Sequence, residues 1–121
     1  GDLVLQRFAA LLARDMRRTD LIARYGGEEF VIILPSTSRE AAVARLESLR
    51  ESVTATVLDV DDDTRLSIGF SAGIAGIPQD PGAPDARALL EVADRRLLAA
   101  KRLGRGRCVG TDETVGEAAE V

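Results

Sequence analysis

The chain has 121 residues, of which 45% are hydrophobic and 30% charged, and this composition is typical of one ordinary globular domain. A formal net charge of −4 disfavours broad binding to nucleic acid or to an anionic membrane surface, and an aromatic content of 3% disfavours a base-stacking surface. The absence of His and the single cysteine, Cys108, exclude His-based acid–base catalysis, an internal disulfide and a Cys-cluster zinc site.

The first third of the chain predicts a helix followed by a β-hairpin. Apolar residues recur at helical spacing over residues 3–16, and Asp2 is placed as the N-cap of this helix. Two apolar runs, residues 21–24 and 30–34, then flank two adjacent glycines. We expect these runs to form a hairpin, because paired glycines accept the positive φ of a tight turn.

A second helix and two strands are predicted in the middle of the chain. The Thr-Ser-Arg-Glu run at residues 37–40 matches a capping box, which predicts that Thr37 caps the helix that follows. The apolar stripe of this helix is Ala42, Leu46, Leu49 and Val53. Residues 54–60 predict a strand, and three aspartates then form a polar turn. Residues 66–75 predict a second strand, because large and small residues alternate there.

The last third predicts a loop, a third helix and a short strand. Three prolines mark residues 78–84 as a loop, after which Asp85 caps a helix that Gly104 ends. The buried stripe of that helix is Ala86, Leu89, Leu90, Ala93, Leu97 and Ala100. Residues 107–109 predict a last strand. Residues 111–121 carry four acids and no Lys or Arg, which predicts a frayed acidic tail.

The predicted order of elements, α β β α β β α β, indicates the fold class. Strands joined partly by hairpins and partly by crossing helices predict an α/β or α+β sandwich, with a mostly antiparallel central sheet and helices packed on it. We take residues 1–110 as one domain and residues 111–121 as its tail. The sequence has no apolar run long enough to span a membrane, and from its first residues we expect no signal peptide in this segment. Because it opens at Gly1 directly in an apolar-periodic segment, we expect a piece of a longer protein.

Two adjacent carboxylates, Glu28 and Glu29, lie at the tip of the predicted hairpin beside Gly26 and Gly27. Exposed carboxylates stay ionised, and glycine lets a ligand approach the backbone. Hard-cation chemistry on phosphate substrates needs both features. The alternative interpretation is a plain glycine turn followed by two solvated glutamates.

Basic residues cluster at the end of the last predicted helix. They are Lys101, Arg102, Arg105 and Arg107. Such residues either complement the helix dipole or contact phosphate groups. Earlier in the chain, Arg17 and Asp20 are spaced as a simple helix-end pair. The aspartate run at 59–63 predicts a solvated turn, because Thr64 and Phe70 stand where a calcium loop needs Gly and Glu.

Gly26-Gly27-Glu28-Glu29-Phe30 resembles the signature of the GGDEF family, the bacterial diguanylate cyclases. Further segments resemble that family in the same order along the chain, through about residues 1–109. They are Gly1-Asp2-Leu3-Val4-Leu5, Arg17-x-x-Asp20, Leu66-Ser67-Ile68-Gly69, and Ala93-Asp94 through Ala100-Lys101-Arg102-Leu103-Gly104-Arg105. The resemblance implies the palm-like fold of nucleotidyl cyclases. It also implies condensation of two GTP into cyclic di-GMP with release of pyrophosphate. It further implies a homodimer in which each domain presents one GTP with Mg²⁺ or Mn²⁺, a cytoplasmic location, and an upstream sensory or regulatory domain.

The resemblance also implies roles for individual residues. Glu28 is expected to bind the metal ion, and Glu29 to assist it or to activate the attacking 3′-hydroxyl. The catalytic set implied is Glu28, Glu29 and Arg24. The substrate-binding set implied is Asp2 at the guanine base, Gly26 and Gly27 making room for phosphates, and Lys101 and Arg105 on the triphosphate. The implied product-inhibition site for cyclic di-GMP is Arg17 and Asp20, with Arg45 or Arg50 as a further arginine.

One departure from the family limits what we expect of this polypeptide. Family members carry a strand before the first helix that supplies another metal-binding carboxylate, and this chain starts after it. We therefore expect half a metal site, weak or no activity from this polypeptide alone, and unpaired strand edges prone to swapping or aggregation. Two alternatives are a regulatory GGDEF domain that binds GTP or cyclic di-GMP without turnover, and a structural dimerisation domain. The intact acids of the signature argue against a degenerate domain.

Overall fold

Three helices and six short strands follow one another in the part of the chain that the computed structural model describes, residues 2–77, 80 and 85–112. Their bounds are α1 Asp2–Arg14, β1 Leu21–Gly26, β2 Glu29–Ile33, α2 Arg39–Ala55, β3 Leu58–Asp61, β4 Thr64–Leu66, β5 Ala72–Gly73, α3 Ala86–Arg102 and β6 Cys108–Val109. Gly1, the side chain of Asp2, most of the predicted 78–84 loop and the predicted tail beyond Asp112 lie outside the described residues.

The chain divides into two compact units, which alternate along the sequence. Unit 1 comprises Gly1–Ser36 and Glu51–Ile68, and unit 2 comprises Thr37–Arg50 and Gly69–Val121. The mixture of helices with short, mainly antiparallel strand pairs confirms the predicted α+β class. No helix among the described residues combines the length and the apolar character needed to cross a bilayer.

Unit 1 contains α1 and two antiparallel hairpins, β1–β2 and β3–β4. Its buried apolar side chains are Phe8, Leu11, Leu12, Val53 and Leu58. The rings of Phe8 on α1 and Phe30 on β2 meet edge to face, with 5.6 Å between centroids. This contact fixes the signature hairpin against the first helix, because aromatic pairs add specific geometry to the burial of area.

Unit 2 contains α3 and the parallel strand pair β5–β6. Its buried apolar side chains are Ala42, Leu46, Leu49, Ile74, Ala100 and Val109. Gly73 on β5 lies so close to the backbone of α3 that a Cβ atom there would overlap Ala93 and Leu97. Glycine at this position therefore lets strand and helix backbones come into direct contact.

The predicted strands differ from the observed ones in extent. The strand predicted at 54–60 is β3 from Leu58, since α2 continues through Ala55. The single strand predicted at 66–75 was wrong: β4 ends at Leu66, and β5 covers only Ala72–Gly73. The intervening segment is rich in glycine and serine, which pack poorly on a pleated surface. Among the described residues the strands form three separate two-stranded sheets rather than the single central sheet predicted.

Local capping was predicted correctly for α3 and wrongly for α2. The Asp85 carboxylate accepts a hydrogen bond from the Ala88 N–H at 2.8 Å, which confirms it as the N-cap. For α2 the cap is Ser38 rather than Thr37, since its hydroxyl accepts the Ala41 N–H at 3.1 Å. Both serine and threonine cap well, so the sequence favoured neither strongly.

Candidate functional site

The tip of the β1–β2 hairpin carries the signature residues. Arg24 pairs with Phe30 and Gly26 with Glu29, which leaves Tyr25 as a bulge and Gly27-Glu28 as a two-residue turn. The bulge increases the local twist and ends regular pairing just before the turn. The side chain of Glu28 is exposed and that of Glu29 is half-buried, so the turn presents the first carboxylate to solvent.

Arg24 braces this turn from the strand that leads into it. Its Nε and Nη2 atoms both donate to the carbonyl oxygen of Gly27, at 2.9 and 2.7 Å. Two donors on one oxygen hold the peptide in one orientation, because the guanidinium fork is planar and rigid. The adjacent Glu28 is thereby held in a defined backbone position.

Neither Gly26 nor Gly27 adopts a positive φ, so the turn mechanism predicted for these glycines was wrong. A Cβ atom built on either residue would meet nothing within 4 Å. The fold therefore does not require glycine at these two positions, and the space beside the backbone is open. That space is available to a ligand that approaches the turn closely.

Carboxylate oxygens are the donors that a hard divalent cation prefers, so Glu28 and Glu29 fit a Mg²⁺ or Mn²⁺ ion in chemical type. Within residues 2–77, 80 and 85–112, however, no three Asp, Glu, Cys or His side chains come together as a metal-binding group. Two adjacent carboxylates can fill only part of an octahedral shell. Water or substrate phosphate must supply the remaining ligands.

An open groove of about 430 Å³ runs between α1 and the β1–β2 hairpin. Its walls are mainly apolar, and they include Leu5 and Ala9 from the helix and Ile22 from the strand. Gln6 and Arg24 supply its polar groups. A flat apolar wall with a few polar groups suits a heteroaromatic ring, because the ring faces are buried while its edge forms hydrogen bonds. Asp2, the expected guanine contact, begins α1, and its side chain lies outside the described residues.

The predicted basic cluster follows the end of α3 in unit 2. Lys101 is half-buried in the last turn of the helix, whereas Arg105 is exposed. Gly104 has φ +115°, Arg105 +64° and Gly106 +59°, so three successive residues are left-handed. Gly104 is thus the helix-ending glycine that the sequence predicted. A left-handed Arg is uncommon and costs stability unless its surroundings fix it.

Arg17 and Asp20, the predicted product-site residues, form a tight turn after α1. The Asp20 Oδ2 atom accepts the Arg17 N–H at 2.8 Å, and the Asp20 N–H donates to the Arg17 carbonyl at 3.0 Å. Asp20 is buried while Arg17 is exposed. Asp20 therefore has at least a structural role in shaping the segment that presents Arg17 to solvent.

Arg50, one of the two further arginines considered, is engaged within unit 2. It donates to Glu47 at 2.9 and 3.1 Å, and Glu47 also accepts the Cys108 N–H at 2.8 Å. Partial burial acts to raise the pKa of Glu47, but the hydrogen bonds from Arg50 and Cys108 hold that pKa below its usual value. Arg45 is half-buried on the same helix.

A buried ion-pair network in unit 2 was missed by the sequence analysis. Arg96 on α3 donates to both carboxylate oxygens of Asp80, at 2.8 and 3.0 Å, and to the Ile74 carbonyl at 2.8 Å. Arg39 also pairs with Asp80 at 3.4 Å, and Asp112 pairs with Arg96 at 3.3 Å. The Arg96 guanidinium lowers the pKa of Asp80 to about 2. Helical spacing puts Arg96 on the same face of α3 as Ala93 and Ala100. A charged side chain is normally expected on the solvent-facing side of a helix, so Arg96 was not predicted to be buried.

Ser71, just before β5, is a further residue that the sequence analysis did not single out. Ser67 and Gly69 lie outside the described strands, whereas the same Ser-x-Gly pattern recurs at Ser71-Ala72-Gly73, which overlaps β5. The Ser71 hydroxyl accepts the Gly106 N–H at 2.9 Å, so Ser71 contacts the turn of Gly104, Arg105 and Gly106 directly.

An α+β domain that presents two glycines and two glutamates on a hairpin tip is the arrangement of the palm-like nucleotidyl cyclases. The family model described as "Diguanylate cyclase, GGDEF domain" matches residues 1–107. The chain therefore belongs to the GGDEF family of diguanylate cyclase domains.

Individual relatives support this assignment. Diguanylate cyclase DgcP of Pseudomonas aeruginosa is 44% identical over 107 residues, which are 88% of this chain and 15% of DgcP. The GGDEF domain of DgcB from Caulobacter crescentus, solved in complex with c-di-GMP, has a TM-score of 0.78 and 32% identity. The active GGEEF domain of a diguanylate cyclase from Vibrio cholerae has a TM-score of 0.77 and 30% identity. Each comparison with a solved structure covers 89% of this chain, and 63% and 66% of the respective structures. This chain thus spans about a seventh of DgcP and less than two thirds of either solved chain.

Proposed function

We propose that this domain takes part in the synthesis of cyclic di-GMP from two molecules of GTP with release of pyrophosphate. The observation that carries the proposal is the braced hairpin tip, where an exposed Glu28 lies beside two glycines that the fold itself does not require. The Vibrio cholerae domain named active carries the same Gly-Gly-Glu-Glu-Phe signature in its name, which supports activity with Glu at the third position.

Each residue then has a chemical task in phosphoryl transfer. Glu28 and Glu29 bind Mg²⁺ or Mn²⁺, and the ion when bound neutralises charge on the reacting phosphates. The 3′-hydroxyl of one GTP attacks the α-phosphorus of the other, a phosphodiester bond forms, and pyrophosphate leaves. Gly26 and Gly27 leave room for the phosphates. Arg24 holds the turn, with two of its donors on the Gly27 carbonyl.

Substrate binding uses groups outside the turn. The apolar groove beside α1 receives the guanine ring, and Asp2 at the start of that helix accepts from the base. Lys101 and Arg105 neutralise the triphosphate, Lys101 as a point charge and Arg105 as a fork. Two such domains face each other as a homodimer, because ring closure requires two reacting GTP molecules. We further propose that the reaction takes place in the cytoplasm, where GTP is available.

Product inhibition belongs to the same proposal. Arg17 is exposed on a turn that Asp20 shapes, which suits an arginine that contacts a phosphodiester. The DgcB domain was solved in complex with c-di-GMP, which supports binding of that ligand by the family. The second candidate function is binding without turnover. It is favoured by the lack of a third metal-binding side chain among the described residues.

The test measures cyclic di-GMP formed from GTP and Mg²⁺, using this polypeptide and the longer natural protein that we expect to contain it. The longer protein should be active and this polypeptide weakly active or inactive. Glu28→Gln in the longer protein should lower synthesis by about 100-fold or more, since a neutral amide binds the cation poorly. It should leave cyclic di-GMP binding nearly unchanged, as measured by calorimetry.

Glu40→Gln is the matched control, because Glu40 is an exposed glutamate in the first turn of α2. It should leave synthesis at the parental rate. Full synthesis by the Glu28→Gln variant would contradict the role of Glu28. Rapid turnover by the 121-residue polypeptide would contradict the expectation that its metal site is incomplete. Binding of both nucleotides by an inactive longer protein would favour the regulatory alternative.

A further inference from the structure

The turn after α3 has an unusual backbone for a segment that carries an arginine. Gly104, Arg105 and Gly106 all have positive φ, at +115°, +64° and +59°. Glycine tolerates this conformation without strain, but Arg105 does not. A non-glycine residue persists in this conformation where neighbouring groups over-determine it, and such residues concentrate at functional sites.

Hydrogen bonds to three other residues hold this turn in place. The Arg105 N–H donates to the Ala100 carbonyl at 2.9 Å. The Arg107 Nε donates to the Arg105 carbonyl at 3.2 Å. The Gly106 N–H donates to the Ser71 hydroxyl at 2.9 Å, across 35 residues of sequence. Among these bonds, the one to Ser71 comes from a segment remote in sequence.

Ser71 itself is held in place by the strand pair that follows it. The Ala72 N–H donates to the Arg107 carbonyl at 3.0 Å, and the Ile74 N–H donates to the Val109 carbonyl at 2.8 Å. The residues that accept these bonds directly follow the turn along the chain. Ser71 therefore offers its hydroxyl from a position set by β5–β6 pairing, not by the turn.

We propose that Ser71 is a positioning residue for triphosphate binding, which acts by holding Arg105 in its left-handed conformation. The inference rests on the proposed function, in which Arg105 contacts the triphosphate. The side chain of a left-handed residue leaves the backbone in a different direction from that of a right-handed one. When Gly106 loses its acceptor, the turn can relax toward right-handed φ, and Arg105 is then directed elsewhere.

The hydrogen bond from Gly106 to Ser71 also determines which groups of the turn remain available to bind an anion. Successive left-handed residues can bind anions through their N–H groups. Here, however, the Arg105 N–H is bonded to the helix end and the Gly106 N–H to Ser71. The turn therefore recognises phosphate through its side chains. Ser71 thus influences binding only through Arg105, and this dependence can be measured.

The experiment is a double-mutant cycle on the 121-residue polypeptide, with affinity for GTP and for GMP measured by calorimetry in the presence of Mg²⁺. Arg105→Ala should reduce the ratio of GTP to GMP affinity, because GMP lacks the outer phosphates. Ser71→Ala should reduce the same ratio by about threefold to tenfold, as expected for the loss of one hydrogen bond. In the Arg105→Ala background, Ser71→Ala should have almost no further effect. Ser71→Thr retains the hydroxyl and should restore most of the ratio.

Controls separate positioning from general damage. Ser67→Ala removes a serine hydroxyl, nearby in the sequence, that is exposed and donates to the backbone carbonyl of Thr54, and it should leave the ratio unchanged. The Gly106 amide should exchange its hydrogen faster in Ser71→Ala than in the parent, and the melting temperature should change little. This exchange measurement tests the bond itself without any ligand.

Different results overturn different statements. An unchanged ratio in Ser71→Ala, or additive effects in the double mutant, would overturn the inference while leaving the role of Arg105 intact. Failure of Ser71→Thr to restore binding would also count against it. An unchanged ratio in Arg105→Ala would instead contradict the proposed function of Arg105, and the inference would fail with it.

Discussion

The pKa of the Cys108 thiol is set by the residues around it. It is half-buried on β6, and its backbone N–H donates to Glu47 at 2.8 Å. Burial, together with the hydrogen bond and negative charge of Glu47, raises the pKa of the thiol to about 12. Because the thiolate is the reactive form, the raised pKa should make the Cys108 thiol react slowly in the folded chain.

We predict that Cys108 reacts with a disulfide reagent at pH 8 about 100-fold more slowly in the folded chain than in denaturant. Glu47→Gln should speed the native reaction, because it removes the charge that opposes thiolate formation. Glu51→Gln is the control, since Glu51 is an exposed glutamate one turn further along the same helix. Equal rates for the folded and unfolded chains would contradict the pKa argument. The rates are read directly from the absorbance of the released thiolate.

At the residue scale, sequence reasoning succeeded where chemistry was local. The N-cap at Asp85 and the helix-ending Gly104 were predictable, because each acts within one turn of its own helix. Arg96 was not predictable, because its partner Asp80 lies 16 residues earlier in a segment without periodicity. Only the folded chain brings that carboxylate to the inner face of α3.

At the element scale, two glycine positions separate what the fold needs from what a ligand needs. A Cβ atom at Gly73 would overlap the backbone of α3 at Ala93 and Leu97, and backbone cannot move aside cheaply. A Cβ atom at Gly27 would meet nothing within 4 Å. A side chain added at Gly73 should therefore disturb the fold, whereas one added at Gly27 should not, although Gly73 lies in β5 and Gly27 directly follows β1.

We predict that Gly73→Ala lowers the free energy of unfolding by about 3 kcal/mol, measured by denaturant titration. Gly27→Ala should change that free energy by less than about 1 kcal/mol, because its side chain enters open space. In the longer natural protein, Gly27→Ala should nevertheless lower cyclic di-GMP synthesis by about tenfold or more, since the added methyl occupies the space proposed for phosphate. Full synthesis by a stable Gly27→Ala variant would show that this space is not used.

The same comparison explains which elements could be predicted. The β1–β2 hairpin and α3 follow from strong local patterns, and both lie within a few residues of their predicted bounds. The prediction of a strand at 66–75 was wrong because alternating large and small residues indicate only which side chains share a face. A strand also needs a neighbouring strand to pair with. Ala72–Gly73 pairs with β6, whereas residues 67–71 lie outside the described strands.

At the scale of the whole molecule, the net charge of −4 comes from the end of the chain. Four of the twenty acids lie in residues 111–121, so residues 1–110 carry sixteen acids and sixteen bases. Stability in acid also depends on individual carboxylates, and among the described residues Asp80 has a strongly lowered pKa. Its side chain is 10% exposed and that of its partner Arg96 is 4% exposed, so solvent screens the pair weakly.

We predict that acid removes about 2 kcal/mol of folding free energy through Asp80 alone. The pKa of Asp80 is lowered from 3.8 in the unfolded chain to about 2 in the folded one, chiefly by hydrogen bonds from Arg96. The unfolded state therefore binds the proton more readily, and the contribution is complete above about pH 4 and lost as the pH falls through 2. Denaturant titrations at pH 7, 4, 3 and 2 should show this loss.

The Asp80→Asn variant isolates that contribution. At pH 7 it should be less stable by about 3 kcal/mol or more, because Arg96 is left buried without its main counter-charge. Between pH 4 and 2 its stability should fall less steeply than that of the parent, so the two curves converge in acid. Asp62→Asn, which alters an exposed acid of the β3–β4 turn, should follow the parent. A constant difference between Asp80→Asn and the parent from pH 7 to pH 2 would mean that Asp80 stabilises the chain through packing rather than through its charge.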